Sequence, residues 1–414
     1  MNEIRYRGKR YCQRKAVSGE ARSLSASAAL RKMMPFLKRI GVTRVANLTG
    51  MTRTGIPVAN AVRPGLCGPS VTHGKGLTVE AAMASACGEA IERYHAFEAP
   101  PHAFPSTYRD LEKRHAVIPL ERLPLSKHSL FNPDVVEYWA LGWDIANQQE
   151  VAVPLSLASM AASPAALNTC SFQCTSNGFA HGSNFPEALC QALLELIERD
   201  AMACTEMPAY SRKFRFPPTR IDPGSIEYPV VKELLARLHA ADFEAAIFDC
   251  TVDTEVATCK CSIAERRVES GEIYYGMGAS LDPCTAMVRA ITEAVQGVAV
   301  YHTGTRDVCF RDDFYYPALA STRTFLGYLE KEECRVDARK RKSEATETFE
   351  GDITVCLRKL AKVGITQVIV FDLTVPDFDG SVVKVVAPGL EGCHDFHIYT
   401  PGGRALRYME GAQN

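Results

Sequence analysis

The sequence predicts an α+β fold, and three observations carry that prediction. From about residue 45 to about residue 305, short β-branched stretches alternate with Ala-rich stretches of helical character. Within that span two separated segments repeat one plan, a Gly-bearing turn followed by a helix with an acidic signature. Beyond it, residues 353 to 363, 366 to 375 and 382 to 387 read as helix, strand and strand. The resulting division is a basic N-terminal arm over 1–44, a catalytic body over 45–310, and a C-terminal α/β region over 311–414 that completes the domain.

At 414 residues the chain is long enough for one large domain or several packed ones, so burial is not limiting. With 46% hydrophobic residues, 23% charged residues and a formal net charge of −1, disorder is excluded. That balance gives no global attraction to nucleic acid. Neither a signal-peptide core after Met1 nor a long uncharged apolar run is present, so a cytoplasmic chain with reduced thiols is expected. The fifteen cysteines are scattered without a C-x-x-C pair, the closest spacings being Cys170 to Cys174 and Cys259 to Cys261, and they read as small core residues. Residues 1–44 hold twelve Lys or Arg, including Arg5, Arg7, Lys9, Arg10, Arg14 and Lys15, against Glu3 and Glu20. They form either a solvated arm or a surface for an acidic peptide or partner protein.

The repeat concentrates the chemistry. Its first copy runs His73-Gly74-Lys75-Gly76, Glu80-Ala81, then Glu89-Ala90-Ile91-Glu92-Arg93. Its second runs His181-Gly182-Ser183-Asn184, Glu187-Ala188, then Glu195-Leu196-Ile197-Glu198-Arg199. A looser third version is Gly276-Met277-Gly278 followed by Arg289, Glu293 and Gln296. Helical spacing puts Glu89, Glu92 and Arg93 on one face, and Glu187, Gln191, Glu195 and Glu198 on another. Both helices are otherwise apolar, so these carboxylates face inward and need compensation. Arg93, Arg199 and Arg289 could neutralise them in an ion-pair network. Alternatively the carboxylates hold Mg²⁺, a hard cation that combines carboxylates with substrate phosphates, while the arginines face those phosphates. A di-iron bundle would need Glu-x-x-His, and Glu92 and Glu198 stand where that His would be. Neither a G-x-x-x-x-G-K-[ST] loop nor a G-x-S-x-G elbow occurs. His73 and His181 occupy matching places and read as turn-packing residues.

Taken in order, these pieces resemble the YcaO domain family over roughly residues 42 to 305. They are Gly41-Val42-Thr43-Arg44-Val45-Ala46, Gly55-Ile56-Pro57-Val58, Gly74-Lys75-Gly76, Glu89-x-x-Glu92-Arg93, Ser176-Asn177-Gly178 with Gly182, Glu187-Ala188, Glu195 to Asp200, Gly278-Ala279, Arg289-Ala290 and Glu293-Ala294-x-Gln296. The resemblance implies mixed β-sheets and helices around an ATP site. It implies that Glu89, Glu92, Glu195 and Glu198 bind Mg²⁺ with Glu187 beside them in the metal set, that Lys75, Arg93, Ser183, Glu187, Arg199, Arg289 and Glu293 surround the nucleotide, and that Glu89, Glu195 and Arg199 are the catalytic set. The implied activity is Mg-ATP-dependent phosphorylation of a backbone amide oxygen in a peptide or protein substrate, giving an azoline or, with sulfide, a thioamide. Val383 to Glu391 resembles the thioamide-forming branch that works with a TfuA partner, and the ending Thr400-Pro401-Gly402-Gly403-Arg404-Ala405 followed by Leu406 to Asn414 lacks the proline-rich tail of many azoline-forming members. A homodimer is also implied. Two positions depart from the pattern: Gly297 and Val298 follow Gln296 where an Arg is common, and Met51-Thr52-Arg53 replaces Leu-Asp-Arg.

Overall fold

The computed structural model describes residues 4–15, 22–65, 68–127, 129–161, 171–211, 219–267, 272–305, 321–331, 336–392 and 399–411, without the side chains of 207–211, 321, 323 and 324. Cys170 and the 310/311 boundary lie outside these residues. In chain order the elements are β1 (Ile4–Tyr6), β2 (Lys9–Tyr11), α1 (Ala26–Arg39), β3 (Arg44–Asn47), β4 (Val58–Val62), β5 (Val71–Lys75), α2 (Val79–Glu98), β6 (Ala103–Ser106), α3 (Tyr108–Leu111) and β7 (Ala116–Val117). There follow β8 (Glu137–Asp144), β9 (Gln149–Pro154), α4 (Leu155–Ala158), β10 (Phe179–Gly182), α5 (Phe185–Ser211), α6 (Pro229–Ala240), β11 (Phe243–Asp249), β12 (Ala257–Glu265), β13 (Ile273–Ser280) and α7 (Pro283–Thr303). The C-terminal elements are α8 (Ser321–Lys331), α9 (Phe349–Lys362), β14 (Ile369–Asp372), β15 (Ser381–Val386) and α10 (Gly403–Gly411).

Three sheets carry helices. One has the order β10-β15-β14-β8-β9-β7 with β6 also on β8; the other two are β3-β4-β5 and β11-β12-β13. The C-terminal strands β14 and β15 sit inside the first sheet, so residues 369–386 are structurally inseparable from the body. The basic N-terminal segment is likewise folded onto that body rather than free. Tyr11 of the β1–β2 hairpin stacks on Phe185 and Tyr6 packs tilted against it, with centroids 4.8 and 4.7 Å away. Met33, Phe36 and Leu37 of α1 are buried with Cys87 and Ile91 of α2, because α1 is amphipathic despite its charge. Among the described residues no helix is long and apolar enough to cross a membrane.

The repeat resolves into three strand–helix units: β5–α2, β10–α5 and β13–α7. Gly76 stands in the link between β5 and α2, but the repeat's other glycines, expected in turns, lie on strands instead: Gly74 in β5, Gly182 ending β10, and Gly276 and Gly278 in β13. Their role is close approach. A Cβ on Gly74 would collide with the backbone of Ala82 and Ala86, one on Gly182 with Ala188, one on Gly276 with Ala290 and Ala294, and one on Gly278 with Ala286. His73 and His181 are accordingly strand residues. Each helix begins with a side-chain cap: Thr78 Oγ1 accepts from Ala81 N at 3.1 Å, Asn184 Oδ1 from Glu187 N at 3.1 Å, and Asp282 Oδ2 from Thr285 N at 3.0 Å.

Gly276→Ala forces β13 off α7, an overpacking against backbone that costs about 3 kcal/mol. Urea unfolding should show that loss, whereas Gly50→Ala, where an added Cβ meets no neighbour within 4 Å, should shift the midpoint little.

Candidate active site

Equivalent offsets from the glycines place equivalent carboxylates. Glu89 lies fifteen residues after Gly74 and Glu293 fifteen after Gly278; Glu195 lies thirteen after Gly182, since α5 starts three residues after that glycine whereas α2 and α7 start five after theirs. One helical turn on, Glu92 corresponds to Glu198 and to Gln296. The third unit, loose in sequence, is therefore in register with the first.

Because the helices press against the strands, their carboxylates reach strand N–H groups. His73 N donates to Glu89 at 3.1 Å within the first unit. His181 N donates to Glu92 at 2.8 Å, tying α2 to β10, and Ala279 N donates to Glu198 at 3.0 Å, tying α5 to β13. Lys75 of β5 pairs with Glu293 of α7 and closes the ring of units. Arg93 grips Glu89 through Nε and Nη2 at 3.1 and 2.8 Å. Arg289 donates to Gln191 at 3.1 Å and stands 3.8 Å from Glu198.

Glu195 is the least compensated carboxylate. Its nearest cation is Arg199, 4.0 Å away, and burial together with the charges of Glu92 and Glu198 outweighs that attraction and pushes its carboxyl up to about 8. Burial also acts against charge on Glu293, yet Lys75, Arg199 and Arg289 hold its carboxyl below the usual range. Arg199 is kept above its ordinary value despite burial by Glu195, Glu198 and Glu293. The structure thus brings Glu92, Glu195, Glu198, Arg199, Arg289, Glu293 and Lys75 into one network, while Glu89 is bound by Arg93 and His73 N one turn from Glu92 on α2.

Glu187 and Ser183 stand apart, at the N-terminal end of α5. Glu187 is 2% exposed and accepts from Ser23 N at 3.2 Å, from Ser23 Oγ, and from Arg22 at 3.3 Å. Asn184 donates to Ser23 Oγ at 2.9 Å, and Lys32 to the Ser183 carbonyl at 3.2 Å. No local pattern points to Arg22, Ser23 and Lys32, since some 150 residues or more separate them from their partners. Lys384 of β15 was also missed. It donates to the carbonyls of Thr175 and Asn177 at 3.1 and 2.5 Å, and burial lowers its ammonium to about 8 even though Glu195 and Cys174 pull the other way.

Among the described residues no three His, Cys, Asp or Glu side chains already form a metal cage. The residues nonetheless fit a divalent cation with a phosphate chain. Glu195 is repelled by two neighbouring carboxylates, and the buried Nε atoms of Arg199 and Arg289 have no hydrogen-bond partner. A cation would relieve the first and an oxyanion would satisfy the second.

Stability should report the strain on Glu195. Between its ordinary value of 4.5 and about 8 the folded chain keeps a proton that the unfolded chain has released. Stability is therefore full below that window and falls as pH rises through it. Metal-free protein should melt at progressively lower temperature across this range, and Glu195→Gln should flatten that slope.

Comparison with known proteins gives the site a family. The model described as YcaO cyclodehydratase, ATP- and Mg²⁺-binding, matches residues 73–391. An uncharacterized protein of Methanothermobacter thermautotrophicus is 32% identical over 375 residues, covering 88% of this chain and 94% of that one. A protein of Rhizobium leguminosarum bv. trifolii, named for its place in the tfuA 3′ region, is 30% identical over 407 residues, covering 95% and 94%. The structure of YcaO from Methanopyrus kandleri bound with AMPPCP and Mg²⁺ superposes with a TM-score of 0.70 at 22% identity, over 95% of this chain and 96% of that one. A heterocyclase in complex with substrate and cofactor gives 0.78 at 20% identity over 97% of this chain, which spans 57% of that protein. These distant structures establish the shared fold. Given a family match over most of its length, the chain belongs to the YcaO family of ATP- and Mg²⁺-binding, cyclodehydratase-like proteins.

Proposed function

We propose that this chain activates a peptide backbone amide by Mg-ATP-dependent O-phosphorylation, and that sulfur then replaces the oxygen to leave a thioamide. The observation that carries this reading is the juxtaposition of under-compensated carboxylate at Glu195 with unpartnered, buried guanidinium nitrogens on Arg199 and Arg289. Such a site suits a metal-bound phosphate chain.

In this reading Glu89, Glu92, Glu195 and Glu198 hold Mg²⁺. Lys75, Arg93, Arg199 and Arg289 orient the phosphates, Glu293 fixes Lys75, and Ser183 and Glu187 with Arg22 and Ser23 receive the nucleoside end. When bound, Mg-ATP supplies the phosphoryl group that turns the amide oxygen into a leaving group. The chain contributes positioning and neutralisation of charge, with Glu195 and Arg199 adjacent to the reacting phosphate. The tfuA-region relative supports a TfuA-like partner and the thioamide product. The family description supports azoline formation as the second reading. A homodimer in the cytoplasm is part of the same proposal.

Calorimetric titration with a non-hydrolysable ATP analogue should show binding that requires Mg²⁺ and is lost in Glu89→Gln and Glu195→Gln, both of which stay folded. Binding retained in both variants would refute the assignment. With a substrate peptide, sulfide, Mg-ATP and the TfuA-like partner, the product should gain the mass difference between sulfur and oxygen; loss of one water would instead identify an azoline.

A further inference from the structure

Strand β13 has two faces of opposite character. Gly276 and Gly278 lie against α7, so the alternate residues Tyr275 and Met277 lie on the opposite face, where Met277 packs with Met202 of α5. Tyr275 is 52% exposed and is the one aromatic among the exposed large hydrophobic side chains of the described residues. Its ring is held rather than loose. Lys260 of β12, itself only 7% exposed, places Nζ 4.8 Å from the ring centre and pairs with Glu206 of α5. Directly across the ladder from Tyr275, Ser262 has a buried hydroxyl with no hydrogen-bond partner.

This patch continues the acidic face of α5. Glu195, Arg199, Met202 and Glu206 follow at spacings of four, three and four residues, which keeps them on one side of the helix. Glu187 lies eight residues before Glu195 and Glu206 eleven after it, about 12 and about 16 Å along the axis. Tyr275 is within electrostatic reach of Arg199 and Glu293. The site therefore has two ends, one at Glu187 with Arg22 and Ser23, the other at Tyr275.

We infer that Tyr275, with Lys260, Glu206 and Ser262, is the subsite that receives the substrate peptide beside the reacting amide. The inference rests on the proposed function, which needs an acceptor amide beyond the phosphates. A phosphate would call for uncompensated cations, but the Lys260–Glu206 pair offers one donor group and one acceptor, matching the C=O and N–H of a peptide. The open ring face takes a planar or apolar side chain at low entropic cost, because tyrosine has few rotors to freeze.

The test uses the full chain and heptapeptides enriched on it from a random display library, with and without Mg²⁺ and the non-hydrolysable analogue AMPPNP. The enriched peptides are titrated into wild type, Tyr275→Phe and Tyr275→Ala. Tyr275→Phe should bind within about twofold of wild type and Tyr275→Ala about tenfold more weakly, the loss of one aromatic contact, with Mg-AMPPNP affinity equal in all three. Equal peptide affinity in Tyr275→Ala, or no enriched peptide at all, overturns the subsite. Weakened Mg-AMPPNP binding in Tyr275→Ala overturns it too, by giving the ring to the nucleotide. If Mg-AMPPNP fails to bind wild type the proposed function falls, while the nucleotide-free titrations still judge the subsite.

Discussion

Backbone contact between strand glycines and helix alanines is the constraint from which the rest of the molecule follows. At Gly74, Gly182, Gly276 and Gly278 the strand approaches its helix so closely that even a methyl group would collide. Within the first unit that separation lets Glu89 reach the strand N–H of His73, while Glu92 and Glu198 reach N–H groups on strands of neighbouring units. Close packing thus does more than fill a core. It converts three strand–helix units into a ring whose joints are carboxylates.

Those joints are deliberately incomplete in charge. A strand N–H satisfies one lone pair but does not neutralise a carboxylate, and the arginines that could do so are shared. Glu195 consequently holds its proton well above the usual range, while Arg199 and Arg289 retain unused buried donors. Such an arrangement persists because the scaffold behind it is rigid. Asp200, next to Arg199, turns away from the network and receives Arg404 through two bonds of 2.8 Å. Glu391 accepts from the backbone N–H groups of Gly402, Arg404 and Ala405 and so fixes the start of α10 against α5. This buried clamp makes the C-terminal helix a brace for the helix that carries Glu195 and Glu198.

Much of the fold was legible because local chemistry repeats. Alanine-rich stretches with glutamates at helical spacing can be read without knowing what they pack against, and so can the helix, strand and strand of residues 349–386. The glycines misled in one respect. They read as turn residues, whereas the function of Gly74, Gly182, Gly276 and Gly278 is to admit a helix backbone, which only a partner in space can reveal. The third unit appeared loose because Gln296 replaces a glutamate there; the offset of Glu293 from Gly278 shows its register only once β13 is known to be the strand.

What the sequence determined by itself was the kind of chemistry: several inward carboxylates on apolar helices, accompanied by arginines, within an α+β family recognisable from its ordered motifs. That information is local, since periodicity along one helix fixes which side chains share a face. Tertiary structure decided how the faces meet. It brought Arg22 and Ser23 to Glu187, Lys384 toward Glu195, and Lys260 with Tyr275 to Glu206. Those partners are chosen by sheet order and by the distance at which glycine lets strand and helix pack, and neither leaves a periodic trace in the chain.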